Sequence, residues 1–178
     1  MGYALSCTDY DMWWLVGGRI CSVREADRPV EERVSVLDRP AAEDDLPPLV
    51  ARLIRREPVE RSSVRLALAD DDRRVFVGRS GEDGLFLQFL DPTGGGSCAG
   101  PRSTLADLGA IVMWTSSRTR FVVTGVVADL VTAVRVGDVT AALQDNAFAA
   151  VVPGGAPDVV VVSTPDGERQ VLLPAVGL

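Results

Sequence analysis

From residue 121 onward the chain is cut into brief β-branched runs at near-regular intervals, and that spacing limits its folds more than any other feature. The runs cover residues 121–127, 131–136, 139–143, 148–152, 159–162 and 170–173. Gly137-Asp138, Asp145-Asn146, Pro153-Gly154-Gly155 and Pro165-Asp166-Gly167 divide them, and all are residue types that accept turn backbone. Short strands so spaced predict an antiparallel sandwich or barrel, because parallel strands need longer crossovers. No βαβ pattern occurs, which sets aside the nucleotide-binding folds built on one.

Upstream the pattern is mixed. Residues 46–56 predict the main helix: Asp44 and Asp45 precede it, where acids favour the helix dipole, and proline suits a first turn. Leu49, Val50, Leu53 and Ile54 fall in one arc and predict a buried face, with Arg52, Arg55 and Arg56 solvated on the other side. Pro58 ends the helix. Residues 64–69, 73–78 and 85–90 predict a three-stranded meander, and residues 91–101, with Gly94-Gly95-Gly96, a loop. Ser103 is placed to cap a short helical turn, and residues 110–114 read as a strand. At the start, residues 12–16 and 19–23 flank Gly17-Gly18 as a hairpin. The fold class expected is therefore α+β, mainly β. A helix-plus-meander unit spans 1–115 and an antiparallel β-sandwich-like unit spans 116–178, with one continuous domain as the alternative.

Composition narrows the chemistry sharply. There is no histidine, and all 18 cationic side chains are arginine. Arginine does not deprotonate in proteins, so neither a proton shuttle near neutral pH nor a Schiff-base amine is available. Cys98 follows the glycine run, whose amides suggest an oxyanion pocket, yet a thiol needs a base or a depressed pKa. Asp70-Asp71-Asp72 lacks the alternating order of a calcium loop, and the Asp9, Asp11 pair is a weak carboxylate signal. Cys7, Cys21 and Cys98 lack the close pairing of a zinc site, and an odd count implies no disulfide framework. No catalytic residue, metal or cofactor is assigned.

The reading that follows is a non-enzymatic protein-binding or structural module. A formal charge of −7 repels phosphate backbones and anionic lipid, so nucleic acid is not the expected partner, whereas a basic or neutral protein is. Trp13 and Trp14, being adjacent, would face opposite sides of a strand, so one of them covers a surface. Trp13, Trp14 and Cys98 are the candidate binding residues. The alternatives are an acidic inhibitor or immunity-type protein of a basic partner, and a cysteine- or aspartate-dependent enzyme. Without an apolar run of membrane length or a basic leader, a cytoplasmic location is expected, or an extracytoplasmic one if the true start lies upstream.

Several segments resemble a group of uncharacterised proteins from GC-rich actinobacteria. The stretch from Arg33 through Val36-Leu37-Asp38-Arg39-Pro40 to Asp44-Asp45-Leu46-Pro47 is similar to their opening motif. Arg74-Val75-Phe76-Val77-Gly78 and Gly84-Leu85-Phe86-Leu87 resemble their central hairpin, with Ser97-Cys98-Ala99 beyond it. The segment from Gly125 through Asp129 to Val134, and then Asp145-Asn146-Ala147-Phe148, resemble their later motifs. The resemblance covers about residues 33–152 and implies an α+β unit leading into an immunoglobulin- or transthyretin-like sandwich, with no particular reaction. It also implies that Phe86 stands where relatives often carry a cysteine, so that Cys98 loses a disulfide partner.

Overall fold

The computed structural model describes residues 22–23, 33–92, 94–116, 120–153 and 157–173. The expected hairpin around Gly17-Gly18, with Trp13 and Trp14, lies outside them. The chain is mainly β, with antiparallel sheets and few helices. Its strands are β1 (Ser22–Val23), β2 (Arg65–Asp70), β3 (Arg73–Ser80), β4 (Gly84–Asp91), β5 (Gly94–Pro101), β6 (Ala110–Ser116), β7 (Arg120–Val127), β8 (Ala133–Val136), β9 (Val139–Thr140), β10 (Ala142–Gln144), β11 (Ala147–Pro153), β12 (Val159–Thr164) and β13 (Gly167–Leu172). Helix α1 (Pro48–Leu53) precedes β2, and α2 (Ser103–Leu108) joins β5 to β6.

These strands form three sheets, ordered β2-β3-β4-β5, β10-β11-β7-β6 and β1-β13-β12-β8-β9. The second sheet lies between the other two. Alternate side chains of its strands reach opposite cores, as the period of an extended strand requires. Ala110, Val112, Trp114, Phe121, Val123, Phe148 and Ala150 pack with Val134, Val136, Val160, Val162 and Val171 of the third sheet. Ile111, Met113, Val122, Val126, Ala147 and Ala149 pack with Val75, Val77, Leu85, Leu87 and Phe89 of the first. The first sheet buries its other face too, where Phe76 and Phe86 meet Val50 of α1 and Ile54 just beyond it. The order of layers is thus sheet, sheet, sheet, helix.

The C-terminal sandwich is present as the pair of sheets around Phe148, and the meander packs on its outside. Strands β6 and β7 pair from Ala110↔Val127 to Ser116↔Phe121, so a division at 115/116 would pass through that hairpin. Residues 139–143 do not make one strand: β9 joins the third sheet and β10 the second. The α1 segment continues as a 3-10 turn at Ile54–Arg56, close to the expected span. Its buried face is narrower than expected, for Val50 and Ile54 are enclosed while Leu49 and Leu53 are 47% and 44% exposed. Ser103 is the first residue of α2 rather than its cap, and its side chain makes no capping bond.

The clearest departure is the glycine run. Residues 94–101 are not a loop but β5, which pairs with β4 from Asp91↔Gly94 to Gly84↔Pro101 and makes the meander four-stranded. Glycine is a poor strand former, so local propensity misses it. At Gly96 the reason lies across the layer, where a Cβ would stand 2.7 Å from Met113 Cε; at Gly125, on β7, it lies within the sheet, where a Cβ would stand 2.4 Å from Ile111 O on β6. Both positions are bare because neighbouring groups occupy the volume a side chain would need.

Candidate functional site

The polar residues that organise the structure gather along a strap, residues 33–47, laid between the first and second sheets. Val34, Val36 and Leu37 plug into the core between those sheets. The strap is tied at each end, and three of the segments carrying the resemblance meet at the first tie.

That tie centres on Asn146. Asp145 and Asn146 are the two-residue turn between β10 and β11, with φ of 41° and 66°. Asparagine tolerates this left-handed backbone better than most residues. Its Oδ1 accepts from Val36 N at 3.0 Å and from Ser35 Oγ at 3.2 Å. Its Nδ2 donates to Asp129 Oδ1 at 2.7 Å and to Val127 O at 3.2 Å. Asp129 Oδ1 also accepts from Ser35 N at 2.8 Å, and Asp129 N donates to Arg33 O at 2.9 Å. Beside this tie is an open cavity of ≈ 390 Å³, lined in part by Ser35, Asp129, Val131, Leu143 and Asp145.

The second tie centres on Asp45, whose side chain is 2% exposed. Its Oδ1 accepts from Arg39 at 2.5 Å and from Leu66 N at 2.8 Å, while its Oδ2 accepts from Ala42 N at 2.6 Å and from Arg39 at 3.0 Å. Arg39 also donates to Leu66 O at 3.0 Å. Leu66 lies on β2, the edge of the first sheet, so Asp45 and Arg39 together satisfy a backbone pair that a further strand would otherwise take. Arg65 closes the group, 3.8 Å from Asp45 Oδ2 and donating to Arg39 O. Burial pushes the Asp45 carboxyl up, but the bonds from Arg39, Ala42 and Leu66 and the charge of Arg39 outweigh it, leaving the pKa below its ordinary value.

Neither tie has the geometry of a catalytic centre. The Ser35 hydroxyl donates to an amide oxygen, which cannot take its proton, so the hydroxyl is not activated there. Cys98 sits on β5 opposite Leu87, half-buried against the core between the first two sheets. The glycine amides before it belong to a strand rather than a loop closing over the thiol. Phe86 pairs with Ala99 and packs on the α1 side, so position 86 and Cys98 face opposite sides of the sheet. A cysteine at 86 could not reach the Cys98 sulphur without a change of register.

The aspartate run Asp70-Asp71-Asp72 is the turn between β2 and β3, where Asp70 pairs with Arg73. Among the described residues no cluster of cysteine, aspartate and glutamate could hold a metal, and no helix is long and apolar enough to cross a membrane. Sequence reasoning missed Asp45, Asp129 and Asn146 as organising residues. The local signals were the Asp145-Asn146 turn and the acid pair Asp44-Asp45 before the helix, and neither says where its side chains reach. No protein family, curated protein or solved structure matches the chain.

Proposed function

We propose that this protein is a non-enzymatic binding or structural module. The observation that carries the reading is the use of its most heavily bonded polar groups. Arg39, Asp45, Arg65, Asp129 and Asn146 all hold backbone in place, and so build a rigid support for exposed surface. The net charge of −7 favours a basic or neutral protein at long range over nucleic acid. A cytoplasmic setting accords with an odd number of cysteines and no disulfide framework in the sequence. Trp13 and Trp14 remain the sequence's candidates for contact area, with Cys98 as a neighbour of the surface.

The test is retention of proteins from host lysate on the immobilised chain. Wild type should retain a discrete partner, and Trp13→Ala with Trp14→Ala should lose it. A partner released steeply by salt would select the acidic-inhibitor form of this reading. Turnover of a small molecule by the purified chain, abolished by Cys98→Ser or by one aspartate substitution, would overturn it in favour of an enzyme.

A further inference from the structure

We propose that the outward face of α1 docks an acidic protein segment carrying apolar residues. The inference rests on the binding-module reading and adds a second, local surface to it, whose acidic segment is distinct from the basic or neutral protein that the net charge favours at long range. With Val50 and Ile54 facing the first sheet, residues 49, 52, 53 and 56 form one outward stripe at the i, i+3, i+4, i+7 spacing of a helix face. Leu49 and Leu53 stand in that stripe, 47% and 44% exposed, a whole helical turn apart. Arg52 and Arg56 alternate with them, and Arg55 is exposed alongside.

The arginines are what mark this face. Elsewhere Arg33, Arg39, Arg65, Arg73, Arg79 and Arg102 each lie within ion-pair distance of an aspartate, Arg74 and Arg135 donate to backbone carbonyls, and Arg61 is a lone exposed arginine away from any such cluster. Arg52, Arg55 and Arg56 meet no carboxylate and donate no side-chain hydrogen bond among the described residues, although acids outnumber bases 25 to 18 in the chain. The nearest acids in sequence, Glu57 and Glu60, pair with none of them, and Glu60 accepts from Ser62 instead. Two exposed leucines flanked by three guanidiniums without a carboxylate among the described residues complement a segment that interleaves carboxylates with apolar side chains.

The overall charge does not forbid this. Charges separated by more than about 8 Å are largely screened at physiological salt, so a short segment on α1 meets chiefly the arginines beneath it. A second copy would set −7 against −7 over a broad face, and an anionic membrane would do much the same. Two leucines on a helix this short also offer little apolar surface to a bilayer.

The experiment uses the full chain and a fluorescein-labelled synthetic peptide of glutamate and leucine, read by anisotropy. Wild type should bind it, and Arg52→Glu with Arg56→Glu should weaken binding by roughly tenfold or more. Leu49→Ser with Leu53→Ser should also weaken it, with thermal midpoints unchanged because all four side chains are exposed. A peptide with lysine in place of glutamate should then bind the charge-reversed protein and not wild type. No binding by wild type, or equal binding by the variants, overturns the proposal. So does α1-dependent binding to phosphatidylserine vesicles without peptide binding, or an α1-dependent dimer in sedimentation. If wild type fails to bind the peptide while the tryptophan variants still lose the lysate partner, this inference fails and the binding-module reading stands.

Discussion

One end of the 33–47 strap is held by Asp45, a carboxylate enclosed between two arginines, and the other by Asn146, an uncharged amide at a half-open turn. Each holds the strap through several short hydrogen bonds, yet the physics differs. An enclosed charge requires full compensation, so its partners matter more than its own net contribution. A neutral amide makes four bonds without that desolvation demand. Hydrogen bonds of similar length thus differ widely in what their removal leaves behind.

The largest expected effect is at the charged end. Asp45→Ala should destabilise the protein by about 3 kcal/mol or more in denaturant titration, because Arg65, 10% exposed, loses its carboxylate and Leu66 N loses its acceptor. The same end should respond to acid. The folded pKa of Asp45 lies below its unfolded value, so its contribution is complete above the ordinary carboxylate range and fades as pH falls through the folded pKa. The stability gap between wild type and Asp45→Asn should therefore close on acidification. A gap that held constant into strong acid would contradict the lowered carboxyl pKa of Asp45.

At the neutral end, Asn146→Ala should cost about 2 kcal/mol, combining lost bonds with a strained positive φ. Asn146→Gly relieves the backbone part and should cost less, which isolates the share of the side chain. A larger loss for Asn146→Ala than for Asp45→Ala would break the comparison outright. The smallest effect belongs to Arg33, 59% exposed, which lies 3.5 Å from Asp129 and 3.6 Å from Asp38. Arg33→Ala should change stability by less than about 0.5 kcal/mol, and high salt should erase the difference.

Much of the scaffold was legible because its signals are local. The turn residues of the C-terminal third mark the strand ends, and the helix announces itself through Pro47-Pro48 and Pro58. Strand β5 was not legible, since Gly96 is explained by Met113 on the facing sheet and Gly95 by Phe89 and Leu90 on the adjacent strand, not by their own propensity. The outward turn of Leu49 and Leu53 escaped for a similar reason: an apolar arc states how much could be buried, while the sheet beneath decides how much is. Both ties were hidden by distance along the chain. Val36 and Asn146 are 110 residues apart, and Asp45 reads as one of a pair of helix-leading acids until Leu66 is seen beside it.

The middle sheet has one more consequence. With packed interior on both sides, β7 belongs to two cores at once, so a fault introduced there is transmitted to the meander and to the outer sheet together. Neither flank can peel away while the centre stays dry. The three sheets should therefore melt in a single transition, with the central amides the last to trade their protons for deuterium, which hydrogen exchange followed by mass spectrometry checks.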